Sequence, residues 1–263
     1  MGHSHDKTEK NRRLDFMAHY LVTGTSSGIG AALCTRLTQE GHDVSGIARR
    51  KSQLGASTKK LGLFHGYQSD VVDATGLRET IDIAVSNTGP IDVAILNAGI
   101  YQPQDGTRID PQIYANHMKI NYLGVVNALA AIVPDMVRVR RGHIAIVSSV
   151  AGWRGLPKSA AYGPTKAALI SLAESLYFDL TPKGVKLQII CPGFVESEAT
   201  AINDFEMPDL ISAENAADKI IKGMEGTDFS IDFPKSFTRK MGLLRFLPDR
   251  LFFRVVGKQT GAL

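Results

Sequence analysis

The sequence predicts an α/β protein, a single domain built on a doubly wound parallel sheet of about seven strands with helices on both faces. Two observations predict it. Short apolar runs alternate along the chain with segments of helical periodicity, as parallel strands joined by crossover helices do. The first such unit passes from an apolar strand through a glycine turn directly into a helix. The 263 residues, 44% hydrophobic and 21% charged, suffice for one large core and require no second domain.

The elements follow in order. AHYLVTG is the first strand; the turn TSSGIG leads into the helix AALCTRLTQE, closed by Gly41. Further strands are DVSGIA, LGLFHGY, IDVAILN, HIAIVSS, VKLQIICP and DFSIDF, with helices between them near 73 to 87, 111 to 137, 162 to 180 and 213 to 225. Right-handed crossovers bring the strand ends, and hence ligands, to one edge of the sheet. Residues 1 to 16 are polar, charged and without a periodic apolar face, so they read as a disordered leader or the remnant of an expression tag, with Met17 as a sensible native start. His3 and His5 read as incidental there, and no metal site is expected. The domain proper is assigned to residues 17 to 233, and residues 234 to 263 to a basic, apolar extension packed on it or on a partner.

Two stretches carry chemistry. In the first turn, Gly24, Gly28 and Gly30 let backbone amides approach a pyrophosphate at the positive end of the following helix, although the spacing is G-x-x-x-G-x-G and not G-x-G-x-x-G. In SSVAGWRGLPKSAAYGPTK, Tyr162 and Lys166 are four residues apart and share one helix face. A free phenol titrates near pH 10, and a neighbouring cation lowers that value by stabilising the phenolate. Ser149 lies 13 residues before Tyr162, at the end of an apolar strand, where its hydroxyl could hydrogen-bond a substrate oxygen; Ser148 would point to the opposite side of that strand. A Tyr-x-x-x-Lys pair by itself also occurs on solvated helix faces.

Taken together, TGTSSGIG, the NAG at 97 to 99, Asn121, Ser149, Tyr162, Lys166 and Pro192-Gly193 resemble the short-chain dehydrogenase/reductase family over roughly residues 18 to 233. The resemblance implies a Rossmann-type fold that binds a nicotinamide dinucleotide. It assigns Gly24, Thr25, Ser26, Ser27, Gly28, Ile29 and Gly30 to the pyrophosphate loop, and Asp70 with Val71 to the adenine. Asn97, Ala98 and Gly99 line the pocket after the fourth strand; Leu96 stands where the family more often has asparagine, a change read as packing. After Pro192 and Gly193, the Val195 backbone and the Ser197 hydroxyl would meet the nicotinamide carboxamide, Ser197 replacing the usual threonine.

Cofactor preference is argued from the end of the second strand, where a carboxylate would hold the ribose hydroxyls and repel a phosphate. The sequence there is Gly46-Ile47-Ala48-Arg49-Arg50, two cations and no acid, which favours the 2′-phosphate of NADP(H), with Arg49 as the first choice of reader and NAD(H) still possible. The alternative is that both arginines are solvated turn residues.

The resemblance implies hydride transfer between the nicotinamide ring and a carbonyl or secondary alcohol. Tyr162 would supply or remove the proton and Ser149 would hold the substrate oxygen. Lys166 would lower the tyrosine pKa and bind the nicotinamide ribose, and Asn121 would position a water linking the lysine to solvent. Fold does not dictate function, so a nicotinamide-sensing regulatory or scaffold protein is the alternative class; an intact Ser-Tyr-Lys set argues against it.

The carboxyl terminus is distinctive. Residues 235 to 258 hold seven Lys/Arg and one Asp, a net +6, so with +4 for the whole chain the remainder is −2. Phe237, Met241, Leu244 and Leu251 with Phe252 could form one face, and Pro248 must break or start a helix. Such a segment suits a cover for the active-site cleft, a subunit contact, or a peripheral contact with an anionic membrane. No nucleic-acid reader motif accompanies the charge. Apolar residues here and between Phe194 and Ile211 suggest a lipophilic substrate. Only Cys34 and Cys191 are present, no apolar stretch reaches the roughly 18 residues that span a bilayer, and a soluble, cytoplasmic homodimer or homotetramer is expected, the oligomer from the resemblance alone.

Overall fold

A computed structural model describes residues 17–50, 62–203 and 205–261; the proposed leader at 1 to 16 lies outside them. Each apolar run forms a strand: β1 (His19–Thr23), β2 (Asp43–Ala48), β3 (Phe64–Gln68), β4 (Val93–Leu96), β5 (Gly142–Val147), β6 (Val185–Pro192) and β7 (Ser230–Phe233). All pair in parallel, in the order β3-β2-β1-β4-β5-β6-β7. This is the Rossmann-type doubly wound sheet the sequence predicts. The strand order reverses between β1 and β4, which opens a crevice at their carboxyl ends.

Strand alternation sorts the core into two layers. Leu21, Leu96, Ile144 and Ile146 face α2 (Ala74–Thr88), α4 (Gly124–Val139) and α5 (Gly163–Leu180), while Val22, Ile95, Ala145 and Val147 face α1 (Gly28–Gln39) and α6 (Ala213–Glu225). Both faces are therefore dry, which explains the nearly continuous apolar runs. Leu96 is 1% exposed and packs in the first layer.

The helix expected over 111 to 137 is not uniform. It comprises α3 (Pro111–His117), a π-helical turn over Met118–Leu123, and α4. The extra residue in that turn re-aims the side chains it carries, and Asn121 is one of them. The continuous run Pro111–Val139 holds an apolar window of mean hydropathy 1.5 and is, by length and composition, long enough to cross a membrane, contrary to the sequence expectation. Half of that apolar window is buried, with Val125, Leu129 and Ile132 against the sheet, as in the core helix of an α/β layer.

After β7 the chain forms α7 (Lys235–Leu244) and α8 (Asp249–Thr260), with Pro248 as the N-cap of α8. Met241, Phe252 and Val256 are buried. Leu251 is not on the face of Phe252: it is 46% exposed, because consecutive helical residues project about 100° apart.

Candidate active site

A cavity of about 1020 Å³ occupies the crevice at the carboxyl ends of the central strands. Of the catalytic and cofactor-binding candidates named from the sequence, all line it except Thr25, Gly30 and Asn121, which stand behind its wall.

The glycine turn has a clear physical basis. Gly24 and Gly28 have φ of +73° and +55°, values at which a side chain is strained. A Cβ on Gly30 would sit 2.2 Å from the Gly24 carbonyl oxygen and 2.7 Å from Asn97 Nδ2, so the turn closes only around a bare backbone. Asn97 laces it to the next strand: its Nδ2 donates to the carbonyls of Thr23 (3.1 Å) and Gly24 (3.2 Å), while the Thr23 hydroxyl accepts from the amides of Asn97 (3.0 Å) and Ala98 (3.1 Å). Thr23 was not anticipated, because its partners are more than 70 residues away in sequence. The amino end of α1 has neither a side-chain cap nor an acidic residue in its first turn, so its amides and positive dipole end are available to an anion.

At the adenine end, Asp70 and Val71 follow β3; the Asp70 carboxylate accepts from the Val72 amide, and Asn127 Nδ2 donates to the Val71 carbonyl at 2.9 Å. Arg49 and Arg50 both line the cavity, but differently. Arg50 donates to Ser26 Oγ at 3.2 Å and pairs with Glu198 at 2.9 Å, bridging the glycine turn to the segment after β6. The Arg49 guanidinium has no carboxylate partner among the described residues.

At the other end, Tyr162 sits at the start of α5, with Ser149 just beyond β5. The Ser149 hydroxyl is close enough to the phenol to ease its ionisation; it donates to the Pro192 carbonyl at 3.5 Å and accepts from the Ala151 amide at 3.1 Å. Ser148 differs from Ser149 in its hydrogen bonding and not by side of a strand: β5 ends at Val147, both serines line the cavity, and the Ser148 hydroxyl is committed to the Lys166 carbonyl at 2.8 Å. Lys166 is 3% exposed; its Nζ donates to the Val147 carbonyl at 2.8 Å and lies 5.5 Å from the centroid of the Tyr162 ring. Burial pushes the Tyr162 phenol up, the nearby Ser149 hydroxyl opposing it, and pulls the Lys166 ammonium down to about 8.

Asn121 is fully buried. It exchanges hydrogen bonds with the backbone of Ile100 (2.8 and 3.0 Å) and donates to Thr165 Oγ1 at 3.1 Å, and the Thr165 hydroxyl in turn donates to the Tyr162 carbonyl at 2.7 Å. The π-helical turn is thereby tied to the first turn of α5. A Cβ on Gly99 would lie 3.3 Å from Asn121 Oδ1 and 3.6 Å from Lys166 Nζ, so the three meet behind the pocket floor.

The segment after β6 closes the cavity. Pro192 ends the strand; Gly193 passes under α7, where a Cβ would meet the Phe237 ring at 2.7 Å; Val195 bridges to Ile211. Ser197 is held by Thr200, whose hydroxyl donates to the Val195 carbonyl at 2.8 Å. Besides the Arg50–Glu198 pair, this segment is fastened by Tyr101, which donates to Asn203 Oδ1 at 3.0 Å and lies edge-on to the Tyr162 ring. Phe194 packs against Phe205 and Phe237, giving this half of the cavity an apolar wall.

The sequence reading also missed Arg154. Its guanidinium donates to the carbonyls of Leu244, Arg245 and Leu247, pairs with Asp249, and lies 4.0 Å from the Phe252 ring centroid. It thus gathers the end of α7 and the start of α8, whose inner residues Met241, Leu244 and Val256 line the cavity. Arg154→Met, which keeps the apolar stem, is expected to cost about 2 to 4 kcal/mol, from unpaired carbonyls and a lost charged hydrogen bond, and to release α8 to limited proteolysis before the rest of the chain. Thermal melts and a timed digest read by mass spectrometry check this.

The fold and the site define a dinucleotide-binding α/β protein of the dehydrogenase kind. A profile described as short chain dehydrogenase matches residues 18–206, and the chain belongs to that family. An uncharacterized oxidoreductase of Myxococcus xanthus is 36% identical over 236 residues, 88% of this chain and 93% of its own. A 3-oxoacyl-acyl-carrier-protein reductase of Staphylococcus aureus is 34% identical over 190 residues, 70% of this chain and 77% of its own. Among solved structures, a short-chain dehydrogenase of Sphingobium yanoikuyae in complex with NADPH superposes with a TM-score of 0.75 at 24% identity, over 88% of this chain and 97% of its own. The protein is an oxidoreductase of the short-chain dehydrogenase family.

Proposed function

We propose that the enzyme transfers a hydride between NADP(H) and the carbonyl or secondary alcohol carbon of a lipophilic substrate, with Tyr162 as general acid and base. One observation carries this reading. Ser149 and Tyr162, with Lys166 beneath the tyrosine ring, open into the same cavity as the uncapped start of α1.

The residues present fit the dinucleotide. The bare-backbone cradle at Gly24, Gly28 and Gly30 and the free amides of α1 suit a pyrophosphate. Asp70 and Val71 would hold the adenine, and Val195 and Ser197 the carboxamide. When bound, the cofactor supplies or accepts the hydride at its nicotinamide carbon.

The protein's part is orientation and proton transfer. Ser149 would hold the substrate oxygen, and Tyr162 would give it a proton in reduction or take one in oxidation. A buried phenol is a poor acid by itself, so the role assigned to Lys166 is electrostatic: at neutral pH its ammonium, held by Val147, favours the phenolate left after proton donation. Asn121 holds the Ile100 backbone and Thr165 in place beside that lysine. The apolar wall of Phe194, Phe205 and Phe237 supports a lipophilic substrate. The reductase activity named for the staphylococcal relative and the NADPH bound by the Sphingobium neighbour agree with the reading. Exposed Leu123, Tyr177 and Phe178 on the outer helices support a homo-oligomer, and two buried free thiols, Cys34 and Cys191, suit a reducing cytoplasm.

A fluorescence titration of NADPH and NADH side by side tests the cofactor. NADPH is expected to bind at least about tenfold tighter, and Arg49→Ala to erase most of that margin by weakening NADPH alone. Equal or tighter NADH binding would overturn the NADP(H) assignment, and binding of neither would revive a scaffold role.

A further inference from the structure

We infer that the outer face of α7 and α8 is a docking surface for an anionic membrane. The inner sides of these helices are consumed by the fold, with Met241, Phe252 and Val256 buried. Their outer sides carry large apolar groups that no part of the described chain covers: Phe246 is 85% exposed, Leu243 73%, Phe253 58% and Leu251 46%. Phe246 and Leu243 lie at the α7–α8 junction, which Arg154 holds in one geometry through three carbonyls and Asp249. Side chains of this size are left in water at a rigid junction only at a cost in free energy, and a cluster of them marks an interaction site.

The charge around them selects the occupant. All seven Lys/Arg of residues 235 to 258 are exposed, and Lys235 alone has a carboxylate partner among the described residues. Arg250, Arg254 and Lys258 recur every fourth residue and form one stripe along α8, while Arg239 and Lys240 are exposed on α7 and Arg245, just after it, lies 5.5 Å from the centroid of the Trp153 ring. The segment's one acid, Asp249, is neutralised by Arg154. Phenylalanine and leucine among these cations, on a segment carrying +6 while the rest of the chain carries −2, complement a lipid bilayer with anionic headgroups. A second copy would set the same cations against each other, and a nucleic acid would leave the apolar groups without a partner.

Leu244, Val256 and Thr260 of the same helices line the cavity, so a docked enzyme would hold its substrate pocket against the bilayer, a consequence that rests on the lipophilic substrate proposed above.

The test is sedimentation of the full chain with vesicles of phosphatidylcholine alone and of phosphatidylcholine with phosphatidylglycerol, at low and at physiological salt. Binding to the anionic vesicles, weakened by salt and by about a hundredfold in Arg250→Glu/Arg254→Glu, is expected. Phe246→Ser, at an exposed position outside the cavity, is expected to weaken it on the order of tenfold without changing NADPH affinity. No binding to anionic vesicles, or equal binding to neutral ones, overturns the proposal. So does a Phe246→Ser chain that falls to a smaller oligomer by light scattering while vesicle binding is unaltered, since the face would then be a contact between copies. Sedimentation reads no turnover, so its failure is separable from failure of the proposed reaction.

Discussion

Tyr162→Phe is expected to lower kcat by about two to four orders of magnitude while the dissociation constant for NADPH stays within about twofold. The substitution removes one oxygen and leaves the ring, so the edge-on packing against Tyr101 and the position of Lys166 beneath it persist. What disappears is the phenol that shares the cavity with Ser149, and with it the group proposed to exchange a proton with the substrate oxygen. Single-turnover kinetics, with any carbonyl substrate found by screening, separate this from a binding defect. A variant that turns over within tenfold of the parent would remove Tyr162 from the mechanism.

Lys166→Met is expected to inactivate the enzyme and stabilise it. The ammonium is 3% exposed, and burial lowers its pKa from 10.5 to about 8. That displacement corresponds to roughly 3 kcal/mol held against the folded state whenever the lysine is charged in both states, that is below about pH 8. Between about 8 and 10.5 the unfolded chain binds more protons than the folded one, so this contribution to stability rises with pH, and above 10.5 the penalty is gone. Methionine carries no charge to bury but leaves the Val147 carbonyl without its donor, at about 1 kcal/mol. The net expected gain at pH 7 is about 2 kcal/mol, roughly 4 to 8 °C in Tm for a chain of this size, shrinking to nothing at about pH 10 and turning into a loss of about 1 kcal/mol above about pH 10.5. Melts of both proteins across pH 6 to 10.5 give the answer. A variant less stable at pH 7, or a gain independent of pH, would show that the buried ammonium is not a source of strain.

The central strands were legible because they are buried on both faces and therefore apolar along most of their length, unlike the edge strand β3, whose residues are half-buried or exposed, and the glycine turn because its spacing is dictated by backbone approach. The reading of Tyr162 and Lys166 as a pair rested on separation along one helix. Other features left no such trace. The π-helical turn at Asn121 depends on the fit of that helix to Ile100 and Thr165, partners supplied by two other elements. Arg50 and Arg49 look equivalent in sequence; a carboxylate 148 residues away, on Glu198, distinguishes them. The face of Leu251 was misread because the phase of α8 is set by where Pro248 starts it and by what Arg154 holds, neither visible in local periodicity.

The sequence by itself determined the parallel sheet, the family and the identity of the residues that gather at its crevice, since these rest on burial patterns and spacings within single elements. Only the tertiary structure decided the electrostatic state of the site and the two-faced character of α7 and α8. Desolvation, like the pairing of distant side chains, is a property of the assembled surroundings and not of any segment.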